Sequence, residues 1–224
     1  ARDARGMLLM GGYKWELMPY AEIAQGHNSA ITDHKGRSFV VYHTRSTVGH
    51  EGHEVRVHQL FLNQDGWIMA APYEFSGETI TNDDIASKAS IPDSAIPGNY
   101  QFMRHEYNQD TKNLAYETPV DIELTADGKI TGSATGTWTR TAGTDFISLT
   151  IGGVVYKGVL ARQTIDYSDI PALCISACSS SSGSLTIGQK TFTYQQNIWC
   201  SKADYKAAIK YTLDKTAVPF YSGK

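Results

Sequence analysis

Cysteine is scarce: Cys174, Cys178 and Cys200 are the only three in 224 residues. At most one intrachain disulfide can form, which excludes the dense cross-linking of a small secreted scaffold. One bridge with a leftover thiol and three unpaired buried thiols both satisfy the count, and the spacing is too sparse for a four-ligand zinc site. Long apolar runs are also missing. The most apolar stretch, 147–160, is interrupted by Ser148, Gly152, Gly153 and Lys157, well short of the roughly 18 consecutive apolar residues a spanning helix needs. Charge of one sign is absent as well, with 20 Lys and Arg against 23 Asp and Glu for a net charge of -3. Without a basic run there is no electrostatic footprint for nucleic acid and none for an anionic membrane surface. Residues 1–5 lack the apolar core of a signal peptide and the first residue is not Met, the pattern of a processed product or of the later part of a longer chain.

The sequence does carry 41% hydrophobic residues and 20 glycines, enough apolar material for one large or two small domains. Its periodicity is two. In 39–45, Phe39, Val41, His43 and Arg45 fall on one face and Val40, Tyr42 and Thr44 on the other, with β-branched and aromatic residues dominating. In 54–62, Glu54, Arg56, His58, Leu60 and Leu62 oppose Val55, Val57, Gln59 and Phe61, predicting an antiparallel neighbour across a loop at 46–52. Asn63-Gln64-Asp65-Gly66 supplies a turn and 67–71 returns as a further strand. Counting 7–10 and 28–31 as short strands gives one small sheet over residues 1–75. Two apolar faces on so small a sheet predict a partner outside this chain, or a second copy of it.

Residues 76–98 are rich in Ser, Thr, Asp, Asn and Pro without sustained periodicity and read as a connector. From Asn99 onward, short β runs, among them 129–139, 191–194 and 197–199, alternate with turns at Ala126-Asp127-Gly128-Lys129 and Ile151-Gly152-Gly153-Val154. The fold class expected for 99–224 is all-β, a sandwich or barrel. Ser179–Ser184 reads as a surface loop and 202–213 as a short helix or wrapping tail.

His50-Glu51-Gly52-His53 invites a zinc reading, but it lacks the His-Glu-x-x-His spacing and Gly49 and Gly52 argue against a helix there. A polar network of His43 and Arg45 with Glu54, Arg56 and His58 across adjacent strands is the preferred expectation, orienting groups that line a cleft.

Gly26-His27-Asn28-Ser29-Ala30, then 39–45, then 53–61 and Asp65-Gly66-Trp67, occur in the order in which they resemble the last propeller blade of the endo-α-1,5-L-arabinanases of glycoside hydrolase family 43. Gly98-Asn99-Tyr100, 127–132, 153–159 and Ile198-Trp199 resemble, more loosely, the β domain that follows the propeller in the longer extracellular members. The segment 174–193 departs from that pattern. The resemblance implies an all-β architecture: the final blade of a five-bladed propeller over 1–75, a connector, and a β-sandwich or barrel over 99–224.

It also implies a secreted, inverting hydrolase of α-1,5-L-arabinan. Inversion needs an acid and a base carboxyl roughly 6.5–9.5 Å apart, and none of the 23 acidic residues stands in a matching motif. Asp33, Glu51, Glu54 and Asp65 read as solvated surface. No catalytic carboxylate is therefore assigned to this chain, and the remaining blades are expected from an N-terminal fragment on a separate or cleaved chain. By the same resemblance His27 is a calcium-associated histidine near the propeller axis, with water completing the shell because calcium prefers oxygen. Asn28, Ser29, His43 and Arg45 are the expected substrate-binding or site-orienting residues. The partner is arabinan or an arabino-oligosaccharide, with no nucleic acid and no membrane. A non-catalytic carbohydrate-binding or assembly module is the alternative from another class, and a family 43 β-xylosidase or α-L-arabinofuranosidase the alternative within the enzymes.

Overall fold

A computed structural model describes residues 7–48, 52–106, 115–179, 183–187 and 189–203. The first half forms β1 (Met7–Leu8), β2 (Glu22–Thr32), β3 (Ser38–Ser46), β4 (His53–Leu62) and β5 (Ile68–Ala70), followed by a short helix α1 (Asn82–Ser87). The second half forms β6 (Gly98–Arg104), β7 (Val120–Leu124), β8 (Lys129–Gly132), β9 (Gly136–Arg140), β10 (Phe146–Ile151), β11 (Val154–Thr164), β12 (Pro171–Ser179), β13 (Gly183–Ile187) and β14 (Lys190–Ala203). Strands β2 to β5 pair in sequence order as an antiparallel sheet. Among the described residues, eight strands, β6 to β12 and β14, follow one another around a barrel that closes where β14 pairs with β6.

Of the sandwich and the barrel expected for the second half, the chain forms the barrel. Closure removes the edges that an open sheet would expose. Ile122, Leu124, Ile130, Ile147, Leu149, Tyr156, Leu160, Ile175 and Ile198 are all buried in its interior cluster, each contributing roughly 1.5–3 kcal/mol. Glycine sets the strand spacing at two points. A Cβ on Gly136 would meet the Thr150 carbonyl at 1.8 Å, and one on Gly158 the Ser176 carbonyl at 2.1 Å.

Four expectations require correction. Residues 7–10 do not join the four-stranded sheet: Met7 and Leu8 pair in parallel with Gln195 and Gln196 of β14, a long-range contact that local alternation does not encode. The connector is structured, because Ile85, Ile91 and Ile96 are buried and the latter two enter the barrel's core. Helix α1 is stopped at its start by a capping box between Thr81 and Asp84. The run 129–139 is broken at Gly132, which has φ +97°, into β8 and β9. The runs at 191–194 and 197–199 are instead one 14-residue strand, β14. The Ser180–Ser182 part of the serine loop and the tail beyond Ala203 lie outside the described residues. The three cysteines are buried and unpaired.

One face of the four-stranded sheet lies on the barrel's outer wall. Val40, Tyr42 and Leu60 of that face pack with Trp15, Met103 and Trp199, and at the β4–β5 end Phe61 and Met69, on the alternate face, pack with Val159, Ala161 and Cys178. The Trp199 indole N–H and the Ser176 hydroxyl both donate to the Ala70 carbonyl, at 2.9 and 3.0 Å. Tyr73 donates to Ser201 at 2.7 Å. At the β4–β5 turn the Asn63 side chain accepts from the N–H groups of Asp65 and Trp67 and donates to the Lys157 carbonyl. The expectation that Val40, Tyr42 and Phe61 await a partner outside the chain is thus corrected, because the chain's own barrel covers them.

Candidate functional site

The opposite face of the sheet presents a row of imidazoles. Strand β2 is irregular between Ile23 and Ser29, and within that bulge His27 holds φ +49°, a left-handed conformation uncommon outside glycine. The bulge re-aims its side chain. The His27 ring lies 5.6 Å from that of His43, and His43 lies 4.8 Å from His53. Arg45 donates through Nε to His53 Nε2 at 3.1 Å. Partial desolvation, then the electrostatic influence of His53, His27 and Arg45, holds His43 below the ordinary imidazole range. A neutral imidazole can both donate and accept a hydrogen bond.

Three of the five expected site residues, His27, His43 and Arg45, are therefore brought together, and His53 joins them. Ser29 sits opposite Val41 on exposed backbone. Asn28 instead helps line a cavity of about 250 Å³ with Gln25, Met7, Met10, Val40 and Tyr42.

The expected network across the strands is not formed. His43 pairs with Val55 and Arg45 with His53, whereas Glu54, Arg56 and His58 share the other face with Thr44, Tyr42 and Val40. Strand alternation gives the residues of one face but not which face of the neighbour matches it. Arg56 there is the centre of a buried ion network. It donates through Nε to Glu22 Oε1 at 2.6 Å, and through Nη2 to Glu54 and, at 3.0 Å, to the Tyr167 hydroxyl; Glu74 stands 3.6 Å away. Tyr20 donates to both Glu54 oxygens. Glu54, with 38% of its side chain exposed, is tied to Arg56 and Tyr20 at the edge of this network, and Asp33 and Asp65 are paired with Arg37 and Lys157; Glu51 lies outside the described residues.

Glu22 is 1% exposed, and burial raises its pKa against the opposing pull of Arg56. Asp166, on the β11–β12 loop, accepts from the Glu74 N–H at 2.9 Å. Burial first, and Glu74 and Glu22 after it, push the Asp166 carboxyl up to about 8. No sequence motif pointed to Glu22 or Asp166, whose roles depend on the docking of sheet on barrel.

Two buried histidines flank Trp199. His58 Nδ1 donates to the Ala71 carbonyl at 2.7 Å and its ring stacks parallel to the indole with centroids 6.0 Å apart. His105 Nδ1 accepts from the Gly11 N–H at 3.2 Å and its ring meets the indole edge-on at 4.1 Å. Burial lowers both, to about 4 and about 3. Each is a neutral wedge in the interface.

For calcium, the donor set fits only as one imidazole in a shell completed by water. His27 is exposed with His43 as its neighbouring ring, and among the described residues no group of three or more His, Cys, Asp or Glu could hold a metal ion. No helix among them is long and apolar enough to cross a membrane.

The C-terminal lipocalin-like domain of glycoside hydrolase family 43 matches residues 72–188. The extracellular endo-α-(1→5)-L-arabinanase 2 of Bacillus subtilis (strain 168) is 38% identical over 164 residues, 70% of this chain and 32% of that protein. The extracellular endo-α-(1→5)-L-arabinanase of Thermotoga petrophila is 38% identical over 147 residues, 64% of this chain and 29% of that one. Among solved structures, the family 43 YxiA protein of Bacillus licheniformis superposes with a TM-score of 0.69 at 33% identity, covering 87% of this chain and 38% of that chain. The endo-1,5-α-L-arabinanase of Thermotoga petrophila in complex with TRIS gives 0.67 at 34% identity, covering 87% of this chain and 39% of that one. The chain spans about a third of the length of the curated relatives it matches. With more than half of its residues matched to that one domain, and a closed eight-stranded barrel to account for the match, the chain belongs to the glycoside hydrolase family 43 proteins that carry the C-terminal lipocalin-like domain.

Proposed function

We propose that this chain is the C-terminal portion of an extracellular, inverting endo-α-1,5-L-arabinanase. The four-stranded sheet serves as the final blade of a five-bladed propeller, and the barrel braces it from one side. Hydrolysis is carried out with blades supplied outside these 224 residues, which hold the acid and base carboxyls. His27 gives calcium one imidazole ligand, and Asn28, Ser29, His43 and Arg45 orient groups at the arabinan cleft.

The observation that carries this reading is the asymmetry of the sheet. Its barrel-side face is buried, while the face bearing the imidazole row leaves Ile31 59% and Val55 67% exposed, with Val41 and Val57 half-buried beside them. An apolar face rimmed by polar groups is a surface built for a neighbour, and in propellers adjacent blades fill that role. The test is release of arabino-oligosaccharide from linear arabinan by the chain alone and by the chain co-expressed with the propeller portion of the Bacillus subtilis relative. No release alone and release on co-expression are expected; hydrolysis by the lone chain overturns the reading.

One observation favours a non-catalytic carbohydrate-binding module instead: the sheet already has an extensive interface with its own barrel. A stable lone monomer that binds arabinan and gains no activity on co-expression would favour it.

A further inference from the structure

The barrel's interior is packed with buried side chains. On the outer wall a groove of about 460 Å³ runs where the segment 14–16 crosses β6 and β7, lined by Lys14, Glu16, Gln101, Tyr116, Pro119 and Asp121. Its volume falls in the range of small-molecule sites. The walls are tied together by backbone: Tyr13 and Glu117 form a parallel bridge, Lys14 N–H donates to the Glu117 carbonyl at 2.9 Å, and Glu117 N–H donates to the Gly12 carbonyl at 2.8 Å. Gln101 sits opposite Asp121 on the neighbouring strand and donates to Glu16. The groove is therefore pre-organised, which lowers the ordering cost of binding.

Its chemistry is mixed in one particular way. Tyr116 is 41% exposed, offering a flat apolar ring beside Pro119. Glu16 and Asp121 supply acceptors and Lys14 and Gln101 supply donors, and the side chains of Lys14, Tyr116 and Asp121 are engaged by no partner among the described residues. Opposite charges at short range suit a ligand that is itself uncharged and offers many hydroxyls, each able to donate and accept. Tyrosine presents an apolar body and a polar tip, and the C–H face of a sugar ring matches that body.

We propose that this groove binds a segment of a neutral polysaccharide chain, with Tyr116 as the stacking platform and Asp121, Glu16 and Lys14 holding the ring hydroxyls. The choice of linear arabinan as that chain rests on the function proposed above.

The test is affinity electrophoresis of the full 224-residue chain in native gels cast with linear arabinan, linear xylan, dextran or polygalacturonate. The wild type should be retarded by arabinan, Tyr116→Ala and Asp121→Ala should each weaken that retardation by about fivefold, and Tyr116→Phe, which keeps the ring, should retain most of it. Val155→Ala, at an exposed position outside the groove, should migrate as the wild type, and unchanged melting temperatures show that the variants fold. Groove-dependent retardation by xylan or dextran but not arabinan supports the neutral-chain site while removing its link to arabinan. No retardation of the wild type by any neutral polysaccharide, retardation confined to polygalacturonate, or retardation of Tyr116→Ala and Asp121→Ala equal to the wild type overturns the proposal.

Discussion

Replacing Asp166 by Asn should make the protein more stable at alkaline pH and no more stable in acid. The carboxyl lies in the β11–β12 loop, where the Glu74 N–H donates to it at 2.9 Å, and an amide oxygen can accept the same bond. What changes is the charge. Burial, with Glu74 and Glu22 nearby and Arg56 only partly offsetting them, pushes the carboxyl from 3.8 up to about 8. Between those values the unfolded chain has released the proton and the folded chain still holds it, so stability falls as pH rises through that window. The full interval is worth roughly 5–6 kcal/mol. Asp166 keeps part of its surface in water, so about 2–3 kcal/mol is the expected share after screening. Urea unfolding followed by tryptophan fluorescence suits the measurement, because Trp15 and Trp199 are buried where sheet meets barrel. From pH 4 to pH 9 the wild type should lose about 2 kcal/mol more than Asp166→Asn, with the curves converging below pH 4. Parallel curves across that range would refute the argument.

Trp199→Ala removes a fully buried indole and its bond to Ala70 and should cost about 3–5 kcal/mol, read as a lowered urea midpoint with the sheet losing hydrogen-exchange protection before the barrel. Arg56→Met leaves Glu22 buried without its counter-ion and should destabilise by about 3–5 kcal/mol at pH 7. Because burial already raises the Glu22 pKa, the penalty should shrink as pH falls and the carboxyl protonates; a pH-independent penalty contradicts the network. Gly136→Ala drives a Cβ into the Thr150 carbonyl and should destabilise by more than about 4 kcal/mol, visible as loss of soluble barrel. If the proposed function holds, His27→Ala in the chain assembled with the remaining blades should lower arabinan hydrolysis and calcium retention by about tenfold or more with an unchanged melting curve, and unaltered turnover and metal content would return His27 to a structural role.

Strand identity was legible wherever alternation was long and its turn chemistry explicit. The opposed faces of 39–45 and 54–62 stand as the pattern implies, and Gly66, Gly152 and Gly153 take the positive φ their turns demand. Those are local facts, fixed by side-chain period and by which residues tolerate a left-handed backbone. The ordered motifs from Gly26 to Trp67 and from Gly98 onward carried the family.

The tertiary structure alone decided how those local pieces meet. The register of β3 on β4 placed His43 and Arg45 beside His53 and turned Glu54, Arg56 and His58 toward the barrel, an outcome reversed by a slip of one residue. Met7 and Leu8 crossed to β14, and the polar connector gave Ile91 and Ile96 to the barrel core. Glu22 and Asp166 gained their perturbed carboxyls only when two distant surfaces were pressed together and water was displaced from between them. A pairing between residues more than a hundred positions apart leaves no periodicity at either end, because its energy comes from the contact and not from the backbone preference of either segment.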